Sequence, residues 1–420
     1  MILALDGARS LTLTLKSLGV LVTKDFRLLL RDKAALMFIL LAPVAVISVA
    51  GLSLSTFYGG WQRQTVQYLL PVVDLDQSEL SESLVSTLEQ AEELQLMRVE
   101  ESEARRLVAE TNRAGAALVV PEGFGAGFKK GEPVQLTLWI DPVKHIEVLK
   151  IKGEVERVRA GLVAAHVAGR IAVIEVLTYA GDVDFEAVTE DAVELAGKLI
   201  DKSVRLEEES LTSSRTHFNT FDQNVPGFGV TFLMLGMLLG VGLGLVDERQ
   251  WGMLYRISAS PVSAPSLVTG KVLSRFVVGV VQMLILFAFG RIVFAVSLGR
   301  SWVALGLVIM GVSFAAASLG LLVAALAPSR DAVLPLGTIA IMGMAAIGGC
   351  WWPISMEPPW LQNVAHLFPT AWAMGAFNDL MLRERQIADV LPALGVLVLF
   401  GAAYLVLGLK MYLRHEVHSP

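Results

Sequence analysis

PGFGVTFLMLGMLLGVGLGLVDERQWGMLYRISASPVSAPSLVTGKVLSR, residues 226–275, decides the fold. Its first part, Pro226–Val246, carries no charged side chain. About 20 apolar residues span the ~30 Å hydrocarbon core of a bilayer, so this stretch is predicted to cross a membrane. A polar segment ending in Lys271 and Arg275 comes next, and then a second apolar run, Phe276–Leu298. Outward from this pair, four further stretches qualify: Ala34–Thr56, Trp302–Ala327, Ala332–Trp352 and Leu391–Leu409. None of the six contains Asp or Glu, and their strongly polar members are Gln282 and Arg291. The whole chain of 420 residues agrees, with 54% hydrophobic and only 18% charged residues. That composition excludes a disordered chain and a fibrous one. A single cysteine, Cys350, excludes an intrachain disulfide and a cysteine-rich zinc site.

The net charge of −6 divides unevenly. Residues 57–225 hold 29 acidic and 17 basic side chains, while the rest of the chain is basic. Lysine and arginine near span ends set orientation. One side collects Arg9, Lys16, Lys24, Arg27, Arg31, Lys33, Arg249, Arg256, Lys271, Arg275, Arg330, Lys410 and Arg414. The other side has Arg300, Arg383 and Arg385 in its short loops. Both termini are therefore expected in the cytoplasm, with the acidic segment outside the inner membrane of a bacterial cell. The expected organisation is a cytoplasmic segment at 1–33, a first span at 34–56, an outside domain at 57–225, five further spans within 226–412 and a cytoplasmic tail at 413–420. The first span reads as an uncleaved signal anchor, because it is too long for a signal-peptide core. Before it, Leu18, Leu21, Val22, Phe26, Leu29 and Leu30 recur at helical spacing among Lys24, Arg27 and Arg31. Two readings stand for that segment: an amphipathic helix in the membrane interface, or an extension of the span.

In the outside domain the runs Tyr68–Asp74, Leu96–Val99, Ala116–Val120 and Val134–Ile140 read as strands. Asp76 and Glu79 have capping-box spacing and open a helix expected to reach about Leu94. A second helix is expected over Ser102–Thr111. This order predicts a small α/β sheet. From His145 the spacing of Val148, Ile151, Val155, Val158 and Leu162 predicts a long amphipathic helix to about Thr178. A further helical pattern over Thr189–Glu209 would lead back to the membrane, so the sheet is expected to sit on a helical stalk. No catalytic set is visible. His145, His166 and His217 lack metal-ligand spacing and read as surface or packing histidines, and the acidic surplus reads as a solvated face.

The polar part of the opening stretch, 247–275, is unusually punctuated for a linker. Asp247 and Glu248 open it, Gly252, Ser260, Pro261 and Pro265 break it, and Gly270 and Lys271 precede the next span. The succession Glu248-Arg249-Gln250-Trp251-Gly252-Met253-Leu254, then Ser260-Pro261-Val262-Ser263, then Gly270-Lys271, resembles the permeases of ABC-2 type transporters. So do Gly348–Pro353, Met356–Leu361 and Phe368–Trp372, which look like that family's external segment before its last span, here 353–389. The motifs cover about fifty residues, and the six-span layout with a large domain after the first span covers the whole chain. A departure is Met253, where the family often has a small hydroxyl residue after the glycine.

The resemblance implies an α-helical polytopic membrane protein: six transmembrane helices with an inserted α/β extracytoplasmic domain. It implies the permease subunit of an ATP-driven exporter, not itself an enzyme. ATP and Mg would be bound by a separate ABC ATP-binding subunit, and a second permease copy or homologue would complete the complex. The sequence holds no G-x-x-x-x-G-K-[ST] phosphate loop. Asp247, Glu248, Arg249, Gly252, Leu254, Ser260, Pro261, Gly270 and Lys271 would couple the chain to the ATPase. The expected cargo is amphiphilic: a lipid, a hydrophobic drug or a lipid-linked product. Membrane lipid and a periplasmic protein meeting the 57–225 domain are further expected partners; nucleic acid is not.

Gln282, Arg291, Trp351, Trp352 and Trp360 are candidates for the cargo's path. Arg291 lies near the outer end of its span and reads either as a headgroup contact or as a snorkelling anchor. Gln282 reads as interhelical glue. The tryptophans read either as an aromatic belt or as a lining for an amphiphile leaving sideways. The competing class is a non-transporting envelope receptor or assembly scaffold anchored by its spans.

Overall fold

The computed structural model describes residues 37–57, 67–178 apart from 92, 112 and 131, 204–211, 219–251 and 264–417, with single positions at 23, 27, 31 and 33. Of the helix expected before the first span, the four described positions 23, 27, 31 and 33 are helical; the 189–203 part of the second stalk helix and positions 252–263 lie outside the described residues. The chain forms two compact units, Trp61–Phe218 and Met1–Gly60 with Asn219–Pro420. A π-helical turn, Met37–Leu41, runs into α1 (Ala42–Phe57). This stretch packs on the helical unit through Ile47 and an edge-on contact of Phe38 with Phe232.

The 61–218 unit is an α/β sheet. Its elements are β1 (Tyr68–Asp74), α2 (Glu79–Glu89), β2 (Leu94–Arg98), α3 (Glu101–Arg105), β3 (Ala116–Val120), α4 (Phe124–Lys130), β4 (Val134–Ile140), α5 (His145–Thr178) and β5 (Val204–Ser210). The strand order is β2-β1-β3-β4-β5, with β3 and β4 antiparallel and the other pairs parallel. Alternation sends Leu70, Val72, Leu118, Leu136 and Leu138 to one face, against Leu84 and Leu88 of α2, Phe124 of α4 and Ile151 and Val155 of α5. Val73, Ala117, Val119 and Trp139 face the other way, onto Ala104, Leu107 and Val108.

Four sequence expectations change in this unit. The capping box is Ser78 with Ser81, not Asp76 with Glu79. Asp74 causes the shift: it accepts from the Asp76 and Gln77 amides and the Ser81 hydroxyl, leaving Asp76 to accept from the Gly125 amide. The helix accordingly stops at Glu89, and the next strand begins at Leu94. Residues 204–210 form a strand rather than the end of a helix, with Glu207 bonded to Gln135 and Glu209 accepting from the Trp139 indole at 2.9 Å. The front of α5 is no detached stalk either, since it closes the sheet's core.

The helical unit continues with α6 (Thr220–Met237), a π-helical segment Leu238–Leu243, α7 (Gly244–Gln250), α8 (Ala264–Phe294), α9 (Trp302–Leu326), α10 (Arg330–Ile347), α11 (Pro359–Ala365), α12 (Pro369–Met381) and α13 (Ile387–Val417). Among the described residues five helices are long and apolar enough to cross a membrane: 220–248, 265–294, 302–326, 330–347 and 387–414. The uncharged α9 is enclosed by α6, α8 and α13 and supplies much of the core.

Two boundaries differ for a tertiary reason. The third apolar helix stops at Phe294, not Leu298, because Ala295 turns the chain at φ 54° and side chains take the carbonyls at and after the turn. Asn219 Nδ2 donates to the Phe294 carbonyl at 2.9 Å and Arg291 Nη1 to the Val296 carbonyl at 3.2 Å. The fifth stops at Ile347, before Trp352, where Gly349 turns the chain at φ 75° and Thr370 donates to the Met344 carbonyl.

Candidate functional site

Asp247 and Glu248 occupy the last turn of α7, where the negative end of the helix dipole makes an anion unwelcome. Cations on two neighbouring helices compensate. Lys271 Nζ lies 2.8 Å from Glu248 Oε1, with the two side chains 12% and 20% exposed. Arg330 Nε lies 2.5 Å from Asp247 Oδ1. From the third side the buried Tyr412 hydroxyl of α13 donates to the Leu245 carbonyl at 2.9 Å. The end of α7 is thus braced to α8, α10 and α13.

Glycines make the brace possible. A β-carbon on Gly244 would stand 3.1 Å from Lys271 Nζ, and one on Gly240 would stand 2.8 Å from the Arg275 guanidinium. The long cationic side chains of α8 lie along this bare stripe. Here the π-helical segment Leu238–Leu243 interrupts the α-helical ladder; such interruptions recur at functional positions.

Of the residues expected to couple the chain to an ATPase, Asp247, Glu248 and Lys271 come together. Gly270 and Lys271 lie inside α8 rather than ahead of it, because Pro265 in its first turn starts that helix earlier. Arg249 is a helical position in α7. Gly252, Leu254, Ser260 and Pro261 lie outside the described residues. Trp251, just beyond α7, is 70% exposed. Sequence reasoning missed the roles of Arg330 and Tyr412. The available signal was an acidic pair following a glycine stripe, with cations near two other helix starts.

At the opposite ends of these helices the start of α6 clamps two turns. Asp222 accepts from the Ser297 amide at 2.8 Å, and Phe221 stacks on Phe294 with ring centroids 4.0 Å apart. Gln223 donates to the Gly349 carbonyl at 2.7 Å. Gly227 sits so close to the second turn that a β-carbon would lie 1.8 Å from the Cys350 carbonyl oxygen. Trp351 and Trp352 pack edge to face at 5.9 Å, and the Trp352 indole donates to Glu357 Oε1 at 3.0 Å. Burial pushes the Glu357 carboxyl above the usual carboxylate range. Trp360 stands 67% exposed on α11, and Arg291 is exposed beside the Val296 carbonyl. Residues 354–381 are broken into short pieces, a 3-10 turn Ile354–Met356 followed by α11 and α12.

Gln282 is fully enclosed in the helical core. Among the described residues no three His, Cys, Asp or Glu gather as a metal site. His145, at the start of α5, is buried, and burial pulls its imidazole down to about 4.

Known proteins match this chain in sequence. A family model described as ABC-2 family transporter protein matches residues 33–410. A linearmycin resistance permease protein, LnrN, of Bacillus subtilis (strain 168) is 24% identical over 349 residues, 81% of this chain and 86% of its own. A probable multidrug ABC transporter permease, YbhR, of Escherichia coli (strain K12) is 24% identical over 182 residues, 42% of this chain and 48% of its own. Nodulation protein J of Neorhizobium galegae is 34% identical over 90 residues, 21% of this chain and 33% of its own. With long apolar helices, a braced polar end and a family match over most of its length, the chain belongs to the ABC-2 family of transporter proteins.

Proposed function

We propose that the chain is the membrane-spanning subunit of an exporter that moves amphiphiles out of the cytoplasm or the inner leaflet. Separate ATP-binding subunits, holding ATP and Mg, drive it, and a second permease copy or homologue completes it. The helical stretch 37–57 serves as the sixth span: 21 residues at 1.5 Å each reach about 31 Å. Both termini and the 247–271 end face the cytoplasm of a bacterial cell, and the 61–218 unit lies outside the inner membrane. The strong bias of lysine and arginine supports this orientation. The words "resistance" and "multidrug" in the names of two relatives support outward movement of a foreign compound.

The observation that carries the reading is the brace at the end of α7. Asp247–Arg330 and Glu248–Lys271 join the end of α7 to two other helices. A displacement of that end by an ATP-binding partner would therefore move three helices together rather than one. Gln282, Arg291, Trp351, Trp352 and Trp360 mark the path taken by the cargo.

The test is ATP-dependent movement of a fluorescent amphiphile in inverted vesicles carrying the chain with its ATP-binding subunit. Transport is expected with the pair and abolished by charge reversal at Glu248. Transport and ATPase stimulation that persist unchanged in Glu248→Lys would refute the coupling role.

A further inference from the structure

Gly279 of α8 sits where α6 and α9 both meet that helix. A β-carbon there would stand 2.6 Å from Met237 Cε, 2.7 Å from Leu233 Cδ1 and 3.6 Å from Ser313 Cβ. One helical turn further along α8, Gln282 is only 1% exposed, and neither atom of its amide has a hydrogen-bond partner among the described residues. The Ser313 hydroxyl at the same junction is also buried and unpartnered among them. Amides and hydroxyls between membrane helices ordinarily satisfy one another. Each buried group left unpaired forfeits the bonds it would make to water. Both unpaired groups thus lie within about one helical turn of a glycine that meets α6 and α9.

We propose that Gln282 and Ser313 form a latent hydrogen-bonding site for cargo, exposed when α6 and α8 part during the transport cycle. The site would take the uncharged hydroxyl- or amide-bearing part of an amphiphile. Its selectivity comes from the surroundings. On α8 the nearest ionic residues are Arg275 and Arg291, seven and nine positions away, or about 10 and 14 Å along the axis. α9 has no charged residue, and α6 has only Asp222 at its far end. An ion at this level would be stripped of water without a counter-ion, whereas a hydroxyl or amide finds one donor–acceptor amide and one hydroxyl. This inference rests on the exporter reading.

The experiment uses the chain with its ATP-binding subunit, reconstituted in lipid vesicles, and two probes of equal chain length. Monopalmitoylglycerol carries free hydroxyls; methyl palmitate carries none. Stimulation of ATPase activity and the midpoint of thermal unfolding are both read. Gln282→Leu and Ser313→Ala are expected to raise the midpoint, because apolar replacements remove unpaired groups, yet to cut stimulation by the monoglyceride about tenfold. Stimulation by the methyl ester should be unchanged, and Gln282→Asn should restore part of the response to the monoglyceride. Variants that are stabilised but respond like wild type overturn the site, as does a wild type that answers both probes equally. A Gln282→Leu chain that fails to fold also overturns it, since the amide would then be structural. If no amphiphile is moved or sensed by wild type, the exporter reading itself falls, and the site with it.

Discussion

Neutralising Glu248 or Lys271 should loosen the helical unit by an amount that the geometry sets. At 2.8 Å the attraction between unit charges is about 6 kcal/mol at an effective dielectric of about 20. With each side chain at most one-fifth exposed, desolvation takes back a large part. The pair should therefore fall between an exposed pair, at about 0–1 kcal/mol, and a broken buried one, at about 3–5 kcal/mol, or about 2 kcal/mol net. For a unit of this size that corresponds to about 4 °C in the unfolding midpoint. Cys350 makes the assay simple, because the sole thiol of the chain is buried and becomes reactive to a fluorogenic maleimide only on unfolding. Glu248→Gln and Lys271→Gln should each lower the midpoint by about 4 °C, while the double variant loses much less than the sum. The exchange Glu248→Lys with Lys271→Glu should recover at least half, helped by placing a cation in the last turn of α7. Strictly additive losses, with no recovery in the exchange, would show that the two charges do not act as a pair and that the brace is misread.

Acid should weaken the 61–218 unit through His145. Its imidazole is pulled down to about 4 by burial, so the unfolded chain binds a proton near pH 6.5 that the folded one refuses. Stability is full above pH 6.5 and is lost as pH falls towards 4; hydrogen exchange in β4 and α5 should rise over that window in the native chain and not in His145→Leu. Gly299→Ala should destabilise by about 2 kcal/mol or more, since φ there is 69° and a β-carbon would lie 2.1 Å from the Leu380 carbonyl oxygen; a midpoint unchanged in the Cys350 assay would contradict this. In intact cells an impermeant thiol reagent should label a cysteine placed at exposed Glu207 but not one at Ser258, and the reverse pattern would invert the proposed topology.

Three of the five strands were legible to the residue because apolar runs and alternation are local signals, as in β1, β3 and β4. β5 was not: Glu207-Glu208-Glu209 reads as a solvated helix face, and only pairing with β4 makes it a strand. α4 was hidden by its glycines, whose room is needed where Gly125 meets Ser78 and Gly127 meets Val134. The apolar helices announced themselves, but the ends of the third and fifth depend on bonds from Asn219 and Thr370, residues remote in sequence. The brace was half legible. Asp247 and Glu248 stood out at a span end, whereas Arg330, 83 positions from Asp247, could be recognised as a partner only once the helices were packed.

The π-helical segment at Leu238–Leu243 has a consequence for how this helix could have acquired its acidic end. Each residue of an α-helix advances the facing direction by about 100°, so a one-residue change in that segment rotates everything after it by about that angle. The faces of α6 that meet α8 and α9 would keep their phase, while Asp247 and Glu248 would swing away from Arg330 and Lys271. Deletion of Gly240 alone would thus leave a helix of nearly the same length and hydrophobicity, with its carboxylates aimed at the wrong neighbours. Phase, rather than composition, is what the irregular turn contributes, and it separates the part of the helix that packs in the apolar core from the part that meets Arg330 and Lys271.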